Sequence, residues 1–236
     1  MNIKNTIDTQ NWGQLTEKMH QRGHVVIPNL LSELQCNELV QLYEQEGIYR
    51  KTVTMERHRF GKGEYKYFDY PLPHLLQSIR ENIYPHLAII ANAWMKVLKT
   101  GIDYPSTLNE LHELCKVQGQ VKPTVLILKY AESGFNTLHQ DLYGEVYFPI
   151  QMVLFLSDPK EDYEGGEFVM TEQVPRAQSK AIVLRPSKGD ALLLSTNFRP
   201  IKGAKGYYRA SMRHGVSEVK KGHRSTLGII FHDALS

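Results

Sequence analysis

From residue 123 onward the sequence is cut into short apolar runs: TVLILKY (124–130), FPIQMVLFLS (148–157), GGEFVM (165–170), AIVLRP (181–186), DALLLST (190–196), SMRHGVSEV (211–219) and STLGIIF (225–231). A further short piece surrounds His139. These runs are rich in β-branched or aromatic residues and are separated by Gly, Pro or Asp, the pattern of strands in an all-β core. Eight short strands in about 110 residues predict a two-sheet jelly roll, a double-stranded β-helix of the cupin-like kind, whose mouth can hold a site.

Before this core the pattern is mainly helical. HVVIP (24–28) reads as a strand, and Ser32 with Gln35 forms a capping box ahead of the amphipathic run ELQCNELVQLYEQEG. A second helix is predicted from Leu75 to Lys99, kinked or split at Pro85, and a third from about Thr107 to Lys116, started by Ser106. The fold class is therefore α+β. The expected organisation is one domain over residues 1–236, with a mainly helical part (1–120) packed on a jelly-roll core (121–236).

With 42% hydrophobic and 22% charged residues, the chain falls in the ordinary globular range, and its net charge of +3 neither requires nor excludes an anionic partner. Cys36 and Cys115 lack C-x-x-C spacing, which predicts two reduced thiols and a cytoplasmic location. MNIKNTIDTQNW has no apolar run of a signal peptide, and no stretch is apolar enough to span a bilayer, so no membrane partner is expected.

His139 and Asp141 are one residue apart, which on an extended strand puts both on one face. Composition alone supplies roughly one such H-x-[D/E] by chance, so the pair carries weight only with other residues. His214 follows 75 residues later in RHGVSEV and completes two histidines and one carboxylate. Such a triad leaves three positions of an octahedral ion open, whereas a structural zinc site closes all four of its own. Arg224 and Thr226 share a face of the last strand and offer a guanidinium fork and a hydroxyl suited to a carboxylate; the alternative for Arg224 is a salt bridge to a protein acid. Tyr130, nine residues before His139, can donate a further hydrogen bond or serve only the core.

At these residues the sequence resembles the 2-oxoglutarate and iron(II)-dependent dioxygenase superfamily, with H-x-D, a distal His and an Arg about ten residues beyond. KYAESGFNTLHQDLYG (129–144) is similar to the metal and cosubstrate segment of AlkB-type demethylases, although Leu128 stands where that group has asparagine. LYGEVYFPIQMVLFLSDP, GGEFVMTEQVPRAQSKA and HRSTLGIIFHDA look closest to a bacterial group of such oxygenases proposed to act on nucleic acids. The resemblance implies Fe(II) on His139, Asp141 and His214, with 2-oxoglutarate met by Arg224, Thr226 and Tyr130. It also implies dioxygen as co-reactant, ascorbate as a reductant, and hydroxylation or oxidative demethylation of a primary substrate.

For that substrate, Arg199, Lys202, Lys205, Arg209 and Arg213 lie in an acid-free stretch with Phe198, Tyr207 and Tyr208. Cations track phosphates and rings stack on bases, so a nucleic-acid rim is expected at Arg199, Lys202, Lys205, Tyr207, Tyr208 and Arg209. ERHRFGKGEYKYFDYP (56–71) reads as a substrate lid or a surface loop. The alternative functions are hydroxylation of a protein side chain or small metabolite and, last, a non-catalytic binding module. Gly165 and Gly166 read as a tight strand opening, Glu167 as structural, and His223 and His232 as ordinary residues.

Overall fold

The computed structural model describes residues 2–236. Its helices are α1 (Ile3–Asp8), α2 (Trp12–Arg22), α3 (Glu33–Gln41), α4 (His74–Val97) and α5 (Leu108–Val117). Its first seven strands are β1 (His24–Ile27), β2 (Tyr49–Thr54), β3 (Gly61–Lys62), β4 (Glu64–Phe68), β5 (Leu126–Tyr130), β6 (Phe135–His139) and β7 (Ile150–Phe155). The others are β8 (Tyr163–Gly165), β9 (Phe168–Gln173), β10 (Lys180–Leu184), β11 (Ala191–Ser195), β12 (Phe198–Gly203), β13 (Gly206–Val216), β14 (Val219–Gly222) and β15 (Arg224–Ile229).

An antiparallel major sheet runs β1-β11-β7-β15-β5-β4-β2. The minor sheet runs β10-β9-β13-β6-β3, with β12 on β13, and β8 pairs β14 separately. This is the predicted jelly-roll core with one difference: β1, β2, β3 and β4 come from the first 120 residues, so the sheets draw on both parts of the chain. EYKYF alternates aromatic with polar residues at its start, and YRKTVT ends in a β-branched run, both compatible with a partly buried strand.

Strand alternation sorts the major sheet's side chains into two layers. Ile127, Ile150, Met152, Leu154, Leu193, Leu227 and Ile229 join the helices in the larger core. Val153, Phe155, Leu192 and Leu194 meet Phe168, Met170 and Met212 of the minor sheet. β7 is buried at every position because it is covered on both faces, which explains why its sequence is apolar except at Gln151.

The helices close the outer face. The predicted Ser32–Gln35 capping box is present, and a second one, Thr107 with Glu110, starts α5 one residue later than expected. α4 is one continuous helix through Pro85, where the sequence predicts a kink or break. Pro85 lies on the exposed side together with Glu81, so the carbonyl that proline deprives of its donor can reach water. Cys36 and Cys115 are buried, free thiols. Among the described residues no helix is long and apolar enough to cross a membrane.

Candidate active site

The pairing of β6 with β13 sets His139 opposite His214, and the register shifts between this pair and Asn136–Val216. Two residues on β6, Thr137 and Leu138, there oppose one on β13, Gly215. This β-bulge lets Asn136 and His139 both line the interior, where strict alternation would turn one of them outward. Asp141 lies two residues past the end of β6, in the loop to β7, and not on the strand that its spacing predicts. Its Oδ1 is 3.6 Å from His139 Nε2 and its Oδ2 is 3.3 Å from His214 Nε2. The three residues each offer a donor atom within 4.8 Å of the others.

This donor set fits a metal ion. His139 Nδ1 lies 2.8 Å from Thr137 O, and a carbonyl can only accept, so the proton sits on Nδ1 and Nε2 keeps its lone pair. Burial and the neighbouring His139 hold the His214 pKa below the usual histidine value, and Asp141 offsets this only in part. The ring is therefore neutral near pH 7, the form that binds metals. Burial pushes the Asp141 carboxyl up, but electrostatic interaction with His139 and hydrogen bonds from His214 and Gln151 outweigh it and hold the group below its ordinary range.

Residues not singled out in the sequence fix this carboxylate. The Tyr143 hydroxyl donates to Oδ1 (2.8 Å) and Gln151 Nε2 to Oδ2 (2.9 Å), while the Tyr67 hydroxyl donates to that of Tyr143 (3.1 Å). Gln120 anchors the loop that carries Asp141 and Tyr143: its amide accepts from Val146 N and donates to Val146 O, both at 2.8 Å, and donates to Asp233 O at 2.6 Å. Gln140 donates to Asn197 O and Met212 O, tying the same loop to the β12–β13 hairpin.

A cavity of about 230 Å³ adjoins the donors and reaches Tyr130, Arg224 and Thr226. Arg224 Nη1 donates to Thr226 Oγ1 at 3.3 Å, as their shared strand face predicts. The guanidinium otherwise sees the rings of Tyr130, Phe155 and Tyr163 at 5.6, 5.7 and 5.9 Å. Its Nε and Nη2 are buried without a hydrogen-bond partner, and among the described residues no carboxylate pairs with it. An uncompensated buried cation is unfavourable, so this position calls for an anion, and the guanidinium fork matches a carboxylate. The Tyr130 hydroxyl accepts from Asn136 Nδ2 at 3.3 Å, which leaves its own proton to donate. Burial pushes its pKa up to about 12 against the pull of Arg224, so it stays protonated. Gly166, at φ +59°, allows the turn to close on Arg224: a Cβ there would stand 3.0 Å from Arg224 Cδ.

The expected rim is divided by strand alternation. Arg199 is not a rim residue: it is buried, and its Nε contacts Glu172 Oε2 at 2.6 Å. On β13, Tyr208 falls on the face of Ala210, Met212 and His214, while Tyr207 and Arg209 fall on the other. Arg209 stacks over Phe198 at 4.6 Å. Lys202 lies opposite Tyr207, and Lys205 occupies the hairpin tip, nine residues before His214 and about 25 to 30 Å along an extended chain. None of the six lines the cavity, whereas Phe60, Tyr65 and Tyr67 from the 56–71 stretch do. Glu167 bonds Ser217 and Arg185. His232 is buried, accepts from Phe148 N at 3.0 Å, and is lowered to about 3 by burial and the charge of Arg80.

The chain is similar to several known proteins. A family model, Oxygenase-NA, described as "Oxygenase, catalysing oxidative methylation of damaged DNA", matches residues 63–234. The uncharacterized protein Rv2227 of Mycobacterium tuberculosis is 40% identical over 167 residues, covering 71% of this chain and 72% of that protein. Among solved structures, a Pseudomonas putida prolyl-4-hydroxylase aligns with TM-score 0.54 and 12% identity, covering 94% of this chain and 98% of its own. An oxidoreductase of the 2OG-Fe(II) oxygenase family from Burkholderia pseudomallei aligns with TM-score 0.54 and 15% identity over 96% and 94%. A Trichoplax adhaerens prolyl hydroxylase, solved with a hypoxia inducible factor peptide, gives 0.54 and 11% over 98% and 92%. At these identities the structural likeness is one of fold.

Proposed function

We propose, from the premise that the chain belongs to the Oxygenase-NA family and is a 2-oxoglutarate- and iron(II)-dependent dioxygenase, that His139, Asp141 and His214 hold the iron and that Arg224, Thr226 and Tyr130 receive the cosubstrate. The primary substrate in this reading is a nucleic-acid base, in keeping with the description of the family. The observation that carries the reading is the buried Arg224 without a counter-ion, in the same cavity as three converging metal-type donors.

When bound, iron and 2-oxoglutarate supply the oxidation: dioxygen is consumed, 2-oxoglutarate becomes succinate and carbon dioxide, and the substrate gains a hydroxyl. The chain's own residues bind, orient and exclude water. Tyr143 and Gln151 hold Asp141 by both oxygens, which keeps the carboxylate aimed at the histidines. Arg224 offers its free Nε–H and Nη2–H to the cosubstrate's distal carboxylate, with Thr226 steadying the guanidinium. Tyr130, protonated and unable to act as a base near neutral pH, donates to the same ligand. Leu126, Leu128, Val216 and Ile230 line the cavity with apolar surface that limits water.

Purified protein with Fe(II), ascorbate and 2-oxoglutarate should release succinate, and Asp141→Ala should reduce both metal binding and succinate release to background. Adding a methylated single-stranded oligonucleotide should raise turnover and release formaldehyde. Metal binding that persists undiminished in Asp141→Ala would refute the ligand assignment. Stimulation by peptides or metabolites and by no nucleic acid would refute the substrate.

A further inference from the structure

We infer that the turn at residues 55–62, together with the exposed side chains of β6, is the rim that grips a single nucleic-acid strand while one of its bases enters the cavity. The inference rests on the nucleic-acid reading above and adds the surface that holds the strand, at a different place from the basic hairpin that the sequence suggests.

The turn is built onto the site. Thr137 donates to Phe60 O twice, from its backbone N and its hydroxyl, each at 2.9 Å, and β3 pairs with Phe135 and Asn136 of β6. Within the turn, Phe60 N donates to Met55 O at 3.1 Å and Met55 N to Gly63 O at 2.9 Å. Gly61 makes the close approach possible, since a Cβ there would fall 2.2 Å from Phe135 O. The turn is thus fastened to the strand that carries His139.

Its surface combines free cations and an open ring. Phe60 lines the cavity and is still 46% exposed, and His58 stacks on it with centroids 5.3 Å apart and planes at 21°. Phe135, Leu138 and Leu142, which flank the donor residues in sequence, are also exposed. Arg57, Arg59 and Lys62 are exposed, and among the described residues none of them pairs with a carboxylate. The single acid of this stretch, Glu56, accepts from Gly63 N. Beyond the ring, Tyr65, Tyr67 and Tyr143 continue as an aromatic wall into the cavity.

Charge and shape together choose the occupant. Three unpaired cations within six residues suit successive phosphates, and a flat ring at the entrance suits a base, which an acidic peptide does not supply. A base stacked in a duplex cannot enter the cavity that holds the buried His214 without being extruded, so a single strand is the form this rim accepts directly.

The test uses the full chain with manganese(II) and 2-oxoglutarate, and fluorescently labelled short DNA as a single strand and as its duplex, titrated at several salt concentrations. Arg57→Glu/Arg59→Glu/Lys62→Glu should weaken strand binding about a hundredfold at low salt and flatten the log–log salt slope by about two. Phe60→Ala should weaken it roughly tenfold with the slope unchanged. Lys202→Glu/Lys205→Glu should change it by less than about twofold. If charge reversal impairs folding in a thermal melt, Arg57→Gln/Arg59→Gln and Phe60→Ala carry the comparison.

Wild-type binding that rim variants leave intact, or that the hairpin variant abolishes, overturns the rim while the nucleic-acid reading stands. Equal binding of strand and duplex, with no effect of Phe60→Ala, also overturns it. A wild-type protein that releases succinate yet binds no DNA or RNA strand at low salt overturns the substrate reading and the rim with it.

Discussion

Arg80 and Arg224 are both buried, at 0% and 1% exposure, and their surroundings treat the same charge in opposite ways. Arg80, on α4, donates to the Tyr70 hydroxyl at 2.8 Å and to Ile230 O, Phe231 O and Asp233 Oδ1 at 3.0 Å each. Tyr70 in turn donates to both oxygens of Asp233, so only Arg80 Nε is left over. Arg224 has one hydroxyl at 3.3 Å, three rings and two orphaned nitrogens. A guanidinium compensated by its own chain serves the fold. One left uncompensated in a cavity is free to meet a ligand, and the contrast supports the cosubstrate pocket proposed above.

The strongest way to break this comparison is to remove each charge in turn. Arg80→Met leaves Asp233 buried without its partner and should lower unfolding free energy by about 3–5 kcal/mol in a denaturant titration. A loss below about 1 kcal/mol would show that Arg80 is not structural. Arg224→Met should leave stability unchanged or raise it, and should weaken 2-oxoglutarate binding about a hundredfold in calorimetry with manganese(II), the scale of a lost buried carboxylate partner. Strong destabilisation with intact affinity would reverse the two roles.

The comparison sharpens with ligand present. At a hundred times the wild-type Kd, 2-oxoglutarate should stabilise the wild type by about 2.7 kcal/mol and Arg80→Met by a similar increment, but Arg224→Met by only about 0.4 kcal/mol. A subtler difference lies in pH. His232 titrates at about 3 in the folded chain against 6.5 as the ordinary value, so between these the unfolded state binds more protons. Its contribution is fully present above pH 6.5 and is lost as pH falls toward 3, at no more than about 1.4 kcal/mol per pH unit. His232→Asn, which keeps an acceptor for Phe148 N, should flatten that acid limb in thermal melts; an unchanged slope would contradict the assignment.

Residues that chain order and local spacing bring together were legible in the sequence. The distal histidine and the shared face of Arg224 and Thr226 follow from chain order and strand alternation, whereas Asp141 joins His139 from the loop past β6; all reach one cavity. Gln151 left a trace as the lone polar residue in FPIQMVLFL, but its purpose depends on β7 lying beside the donors. Tyr67 and Phe60 lay within the 56–71 stretch read as a lid or a surface loop, but their places at the site depend on β4 and β3 pairing across about 60 to 75 residues of chain. The basic hairpin misled for a physical reason: residues adjacent in a strand point to opposite faces, so a cluster in sequence became two sparse faces and one buried ion pair.

The cavity spans both sheets: His139 and His214 stand on the minor one, and Tyr130, Arg224 and Thr226 on the major one. On the proposed assignment the cosubstrate bridges the sandwich, with one end at the donors and the other at the guanidinium. Sheets packed face to face keep a separation of about 10 Å that side-chain volume sets and that thermal motion changes little. The sandwich thus acts as a gauge of molecular length. A dicarboxylate one carbon shorter can satisfy either end but not both, and discrimination against it comes from the thickness of the core, with no residue devoted to rejection.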